Sequence, residues 1–221
     1  ELTEEQEEKL YRELARDYPV FTSDTHLNDV ATDFVEHYHQ RWRLMESPVK
    51  SGEAPRYGGN AKAMLVCIDK ITCVRIHAII LEKWKTKIVE LEKQLVKLSD
   101  EQSVMDMERK LAWMRETIMA VVVSEEQGEV DKFRNWSLDI TPHRKLIKEG
   151  FETPDGKRLD VESAFKKEDH PFRVAIVCAM WLTGFVPTMS TLYLDKPLKA
   201  HTLMQAIARA NRVIEGKNNG L

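Results

Sequence analysis

Residues 172–213, "FRVAIVCAMWLTGFVPTMSTLYLDKPLKAHTLMQAIARANRV", decide the fold. The stretch opens on a continuous apolar run, "FRVAIVCAM" (172–180), crosses a glycine-containing loop, and resumes in a second run, "TLYLD" (191–195). It closes on an alanine-rich segment with strong helix propensity. That is strand, loop, strand, helix. Two earlier runs have the same character, "KAMLVCI" (62–68) and "MAVVVS" (119–124). Short apolar runs separated by helical segments predict parallel strands buried on both faces, so residues 59–221 read as an α/β domain.

Outward from this domain the pattern changes. Residues 3–18 predict an acidic amphipathic helix with Leu10, Tyr11, Leu14 and Tyr18 on one side. Residues 27–45 predict a second helix, with Val30, Phe34, Tyr38 and Trp42 at intervals of four. The segment "ESPVKSGEAPRYGGN" then breaks the pattern, so residues 1–58 read as a helical segment and linker. Between the first two strands lies an insertion, residues 81–118. In it Leu81, Trp84, Ile88, Leu91, Leu95 and Leu98 recur at 3-4-3-4-3 spacing, and Val104, Met107, Leu111 and Met114 continue a helical pattern. A helical hairpin packed on its own domain is the expected reading. An arm reaching a partner or DNA through Lys83, Lys85 and Lys87 is the alternative.

Composition excludes several classes. The chain of 221 residues has 43% hydrophobic content, enough for one sizeable core, and no apolar stretch approaches the ~18–20 residues of a membrane span. The net charge is −3, with seven acids against three bases in residues 1–17 alone, so any nucleic-acid contact must be local. Cys67, Cys73 and Cys178 lack CxxC spacing, which argues against zinc ribbons and disulfide frameworks and predicts a soluble protein of a reducing, cytoplasmic compartment. His37 and His39 are two apart and on different helix faces, so they read as surface histidines that share no metal. Cys73 and His77 read as core packing. Asp100-Glu101 in "SDEQS" follows no strand and makes a poor acidic box for magnesium. No phosphate loop of the GxxxxGK[ST] type occurs, so the chain by itself is expected neither to bind nor to hydrolyse ATP in that manner.

Within the closing helix, Gln205, Arg209 and Arg212 fall at i, i+4 and i+7, one amide and two guanidinium groups on a single stripe. With "WLTGF…VP" before it and "TLYLDKPLK" between, this run resembles motifs V and VI of the second RecA-like lobe of superfamily 2 helicases and translocases. It most closely resembles the motor (R) subunit of type I restriction endonucleases. "KAMLVCIDKITCVRIHAII" resembles motif IV, while "MAVVVSEEQGEVDKF" and "LDITPHRKLI" are also similar to family sequence. The resemblance covers most of residues 25–221. It implies a three-layer RecA-like, P-loop NTPase-type parallel sheet with helices on both faces, plus the N-terminal helical segment and the inserted hairpin.

The resemblance also implies roles. ATP and magnesium would lie in a cleft between this lobe and a first RecA-like lobe of the same longer chain. Arg212 would act as the arginine finger and Arg209 as a second phosphate or inter-lobe contact, since a guanidinium stays charged and meets phosphate oxygens with a rigid fork of donors. Gln205 and Gly184 would contact nucleotide. Thr183, Ser124 after the second strand and Lys70 after the first would contact DNA phosphates. The expected partners are double-stranded DNA and a methyltransferase core of M and S subunits. One departure stands out: Gly184-Phe185-Val186-Pro187 lacks the acid that the family places between phenylalanine and valine. Another superfamily 2 lobe, or a non-enzymatic α/β interaction module, are the competing expectations.

Overall fold

The computed structural model describes residues 16–43, 62–153, 155–181 and 189–197, with Leu203, Met204 and Ala208. Most of the acidic segment 3–18 and the linker after residue 45 lie outside these residues.

Helix α1, Asp24–Tyr38, starts where the Ser23 side chain accepts from the His26 backbone N–H at 3.2 Å, a cap that satisfies one of the orphan donors of the first turn. Its apolar stripe, Leu27, Ala31, Phe34, Val35 and Tyr38, is fully buried. Each large apolar side chain so placed stabilises by roughly 1.5–3 kcal/mol, which holds α1 on the sheet. The helix predicted over 27–45 is shorter. It ends at Tyr38, His39 caps it, and a 3-10 turn over Arg41–Arg43 returns Trp42 to the core. The expectation that His39 is a surface residue is corrected: the turn away from the helix axis buries it to 7% exposure. His37 is exposed, as expected.

Strand β1, Ala63–Cys67, leads into α2, Lys70–Leu95, and α3, Glu101–Glu116, follows as its antiparallel return. The insertion is therefore a helical hairpin, but α2 runs unbroken from the end of β1 to the tip. Asp100 of "SDEQS" caps α3, accepting from Ser103 N–H at 2.8 Å, which accounts for its place between helices. The hairpin base joins the core. Tyr38, Trp84 and Trp113 meet with ring centroids 5.5–6.0 Å apart, and Trp84 Nε1 donates to Met114 O at 3.0 Å.

Strand β2 spans Ile118–Val121; α4, Glu129–Arg134, and α5, Thr141–Glu149, follow. A two-stranded antiparallel pair, β3 (Phe151–Glu152) and β4 (Arg158–Leu159), then leads to α6, Val161–Lys166. Strands β5, Phe172–Val177, and β6, Thr191–Asp195, complete a four-stranded sheet of order β2-β5-β1-β6, parallel throughout. The run predicted over 172–180 stops as a strand at Val177. Leu65, Cys67, Val121 and Ile176 face the layer of α1, α2 and α3, while Met64, Val66, Ala120 and Val177 face the other side, where α6 contributes Val161, Ala164 and Phe165. The molecule is thus α/β, with helices on both faces of a parallel sheet, consistent with a RecA-like fold.

A bulge breaks the alternation. Ile118 pairs with Phe172 and Met119 with Val174, leaving Arg173 as an extra residue. Phe172 packs toward α6, whereas Arg173 reaches the opposite layer, donating to Trp113 O at 3.3 Å and Thr117 Oγ1 at 3.1 Å. Beside it Lys62, 2% exposed, donates to His170 O at 2.9 Å and Phe172 O at 2.7 Å. Burial, with the Arg173 charge second, lowers the Lys62 pKa to about 7.

Candidate functional site

Parallel strands deliver all their C-terminal ends to one edge, where ligands of open α/β sheets bind. Each end here hands over directly to polar residues. After β1, Asp69 caps α2 by accepting from Thr72 N–H at 2.7 Å, and its second carboxylate oxygen accepts from the Tyr18 hydroxyl. Burial first, then that hydrogen bond, raises the Tyr18 pKa to about 12, so the phenol stays protonated as a donor. Lys70, expected in a loop, is instead the first residue of α2. Its Nζ lies 3.2 Å from Glu126 Oε2, and Lys132 pairs with the other oxygen of that carboxylate. Hydrogen bonds from Lys132 and then Lys70 lower the Glu126 pKa.

After β2 the chain runs through Val122 and Val123 to Ser124, which is exposed. Arg144 on α5 donates to Val123 O and, at 2.8 Å, to Ser124 O, and it grips the Glu129 carboxylate with two donors. The Arg144 hydrogen bonds lower the Glu129 pKa, so this is an ion pair at neutral pH.

After β5, Cys178 stands beside Cys73 on the helical layer. A hydrogen bond from the Cys73 thiol, opposed by burial and aided by the Lys196 and Lys70 charges, brings the Cys178 pKa down to about 7. Burial pushes Cys73 the other way, well above its ordinary value. All three cysteines are free and buried, in keeping with core packing, and His77 Nε2 bonds Met119 O at 3.0 Å. Lys196, just past β6, donates to Cys178 O at 2.7 Å and so ties the ends of β6 and β5 together across β1.

At the end of β6, Asp195 meets His26 of α1 at 2.7 Å between Oδ1 and Nε2, while its Oδ2 is buried without a partner among the described residues. Burial raises the Asp195 pKa in spite of the imidazole. Arg75, on the second turn of α2, bonds Thr22 O and Asp24, each at 2.7 Å, and stacks 5.5 Å from the exposed Trp136 ring.

Of the residues the sequence points to, Ser124 and Lys70 lie together on this edge. Thr183, Gly184, Gln205, Arg209 and Arg212 lie outside the described residues. Sequence reasoning missed Arg144, His26 and Lys196. Arg144 lies within "LDITPHRKLI" and Lys196 within "TLYLDKPLK", but nothing in either stretch singles the residue out, and His26 reaches the edge through tertiary packing alone. Among the described residues no group of three or more His, Cys, Asp or Glu side chains could hold a metal ion, and no helix is long and apolar enough to cross a membrane. Along the edge the cations Lys70, Lys132, Arg75 and Arg144 are each met by a carboxylate, and the exposed loop after β2 adds the Ser124 hydroxyl.

A family model described as type I restriction enzyme subunit R domain 3 matches residues 84–221. The chain is 31% identical over 203 residues to the type I restriction enzyme HindI endonuclease subunit of Haemophilus influenzae, covering 90% of this chain and 14% of that protein. It is 52% identical over 46 residues to the type I restriction enzyme SsaAORF53P endonuclease subunit of Staphylococcus saprophyticus, covering 20% of this chain and 5% of that protein. The chain therefore spans only a small part of the length of the curated relatives it matches.

Proposed function

Because the chain belongs to the type I restriction enzyme R subunit family, we propose that it forms the second motor lobe of an ATP-dependent DNA translocase within a restriction endonuclease subunit. The observation that carries this reading is the shared edge. Ser124 and Lys70 stand there, and β5 and β6, which in sequence precede the segments carrying Thr183 and Gly184 and then Gln205, Arg209 and Arg212, end on the same side of the sheet.

In this reading residues 59–221 are the lobe, with the preceding segment packed onto it. Ser124, Thr183 and Lys70 contact DNA phosphates without reading sequence, as a translocase requires. ATP lies between this lobe and the first, and its magnesium is held by the first, since this sequence has no phosphate loop. Arg212 then stabilises charge developing on the transferred phosphoryl group, with Arg209 beside it and Gln205 and Gly184 against the nucleotide. The complete enzyme would add the nuclease domain and the methyltransferase core.

The test is Arg212→Ala in the full-length subunit. ATP turnover should fall by roughly 10³-fold or more while DNA binding without ATP is retained. Arg212→Lys should not restore turnover, because an ammonium keeps the charge but loses the two-pronged donor geometry. Near-normal turnover in Arg212→Ala, or rescue by lysine, would remove the finger assignment.

A further inference from the structure

One side chain shapes the loop after β2. Arg144 is half-buried, 17% exposed, and its guanidinium donates to two successive carbonyls, Val123 O and Ser124 O. It is braced from behind by Glu129, 7% exposed, whose Oε2 also accepts the Glu126 backbone N–H at 3.2 Å. A trans peptide unit points its N–H opposite to its C=O. With both carbonyls turned onto the guanidinium, the N–H groups of Ser124 and Glu125 point the other way, away from Arg144. Neither N–H, nor the Ser124 hydroxyl, has a partner among the described residues, and both residues are exposed. The nearby Glu126 carboxylate, which would repel an anion, is taken up by Lys70 and Lys132, and the Glu125 side chain stands in solvent.

We propose that Arg144, braced by Glu129, is a positioning residue that turns the Ser124 and Glu125 amides and the Ser124 hydroxyl onto a DNA backbone phosphate. The proposal rests on the reading of the strand-end edge as the DNA track. Arginine suits the task because a planar fork can hold two carbonyls and a carboxylate at once, which the single ammonium of lysine cannot. The donors it presents are neutral, so the contact fixes position on the strand and adds nothing to counterion release.

The experiment uses Arg144→Lys in the full-length endonuclease subunit assembled into its enzyme, with duplex DNA as the probe. Charge is conserved, so the salt dependence of DNA binding should keep its slope. The DNA concentration for half-maximal ATPase should rise roughly three- to tenfold, the scale of one net hydrogen bond, with turnover at saturating DNA nearly unchanged. Deuterium uptake at residues 123–127 should quicken. Glu129→Gln should shift both readouts in the same direction and carries the test if the lysine variant does not assemble. Adding Ser124→Ala to Arg144→Lys should cost little more, since both act through one contact. Unchanged deuterium uptake overturns the positioning role. Faster uptake with unchanged DNA dependence overturns the phosphate contact, and with it the Ser124 assignment, while leaving the motor-lobe reading to stand or fall with Arg212. Loss of turnover at saturating DNA, without a shift in DNA dependence, would mark Arg144 as merely structural.

Discussion

Replacing Lys62 by Met should change how stability depends on pH, and the structure sets both sign and size. The ammonium is 2% exposed and reaches only His170 O and Phe172 O, with Arg173 nearby. Its pKa falls from 10.5 to about 7 on folding, equivalent to about 5 kcal/mol between the two protonation states. Between these values the unfolded chain binds more protons than the folded one, so stability rises with pH, by up to about 1.4 kcal/mol per pH unit. Below pH 7 both states are protonated and the full cost of burying the charge is present. Methionine follows the lysine stem to Cε, carries no charge and leaves two carbonyls without their donor. The assay is urea unfolding of the 221-residue chain and its Lys62→Met variant at intervals from pH 6 to pH 10. The stability of the wild type minus that of the variant should climb across this range, by on the order of 4 kcal/mol. Titrating groups remote from Lys62 cancel in the difference; His170, whose pKa the Lys62 charge helps to lower, does not and is followed separately. A difference that stays flat, or that falls with pH, would refute the argument that burial dominates at Lys62.

Gly150 ends α5 at φ +69 and ψ −165, and an added Cβ would sit 2.3 Å from Leu159 O, so Gly150→Ala should destabilise by at least ~2 kcal/mol in denaturant melts. Alkylation of Cys178, followed by mass spectrometry, should show a pH midpoint near 7, and Lys196→Ala should move that midpoint upward. Cys73 should remain unmodified under the same conditions, because burial holds its thiol protonated. In the full-length subunit Arg209→Ala should also slow ATP turnover, and the double substitution with Arg212→Ala should cost little beyond the worse single change if the two form one constellation.

Strands β1, β2 and β5 were legible because each is an apolar run too short for a helix and buried on both sides, a pattern that depends on no distant partner; β6, half-buried, was legible as the apolar run that follows the glycine-containing loop. The helical hairpin was legible from heptad spacing. Its placement was not: Trp84 reads as a seam residue, yet it packs on Tyr38 from a helix assigned to a separate segment, and so does Trp113, which the helical pattern leaves out. The bulge at Arg173 left no trace, since "FRVAIV" alternates no differently from an unbulged strand. Lys62 and His39 look like surface residues in sequence and are buried because tertiary packing supplies carbonyls to one and a turn folds in the other. Strands β3 and β4, two residues each, are too short to carry any periodicity. At the candidate site the sequence pointed to Ser124 and Lys70 by their place after strands. It could not show that Arg144, twenty residues beyond Ser124, aims the Ser124 peptide units.

Helix α2 has a mechanical consequence. Its 26 residues make a rod about 39 Å long, with Lys70 at the DNA-proposed edge and Leu95 next to the solvent-facing Val96, which is 86% exposed. Its first half is fixed to the sheet: Cys73, Ile76 and Ile80 are buried in the core with Leu65 and Ile176, and Trp84, midway, is pinned by its indole hydrogen bond and two aromatic neighbours. A stiff rod anchored over that half follows the sheet as one body, so a tilt of about 5° of the sheet displaces the hairpin tip by roughly 3 Å. The tip of the hairpin is thus held in fixed relation to the strand ends through one continuous helix, with Lys70 and its ion pair with Glu126 at the other end.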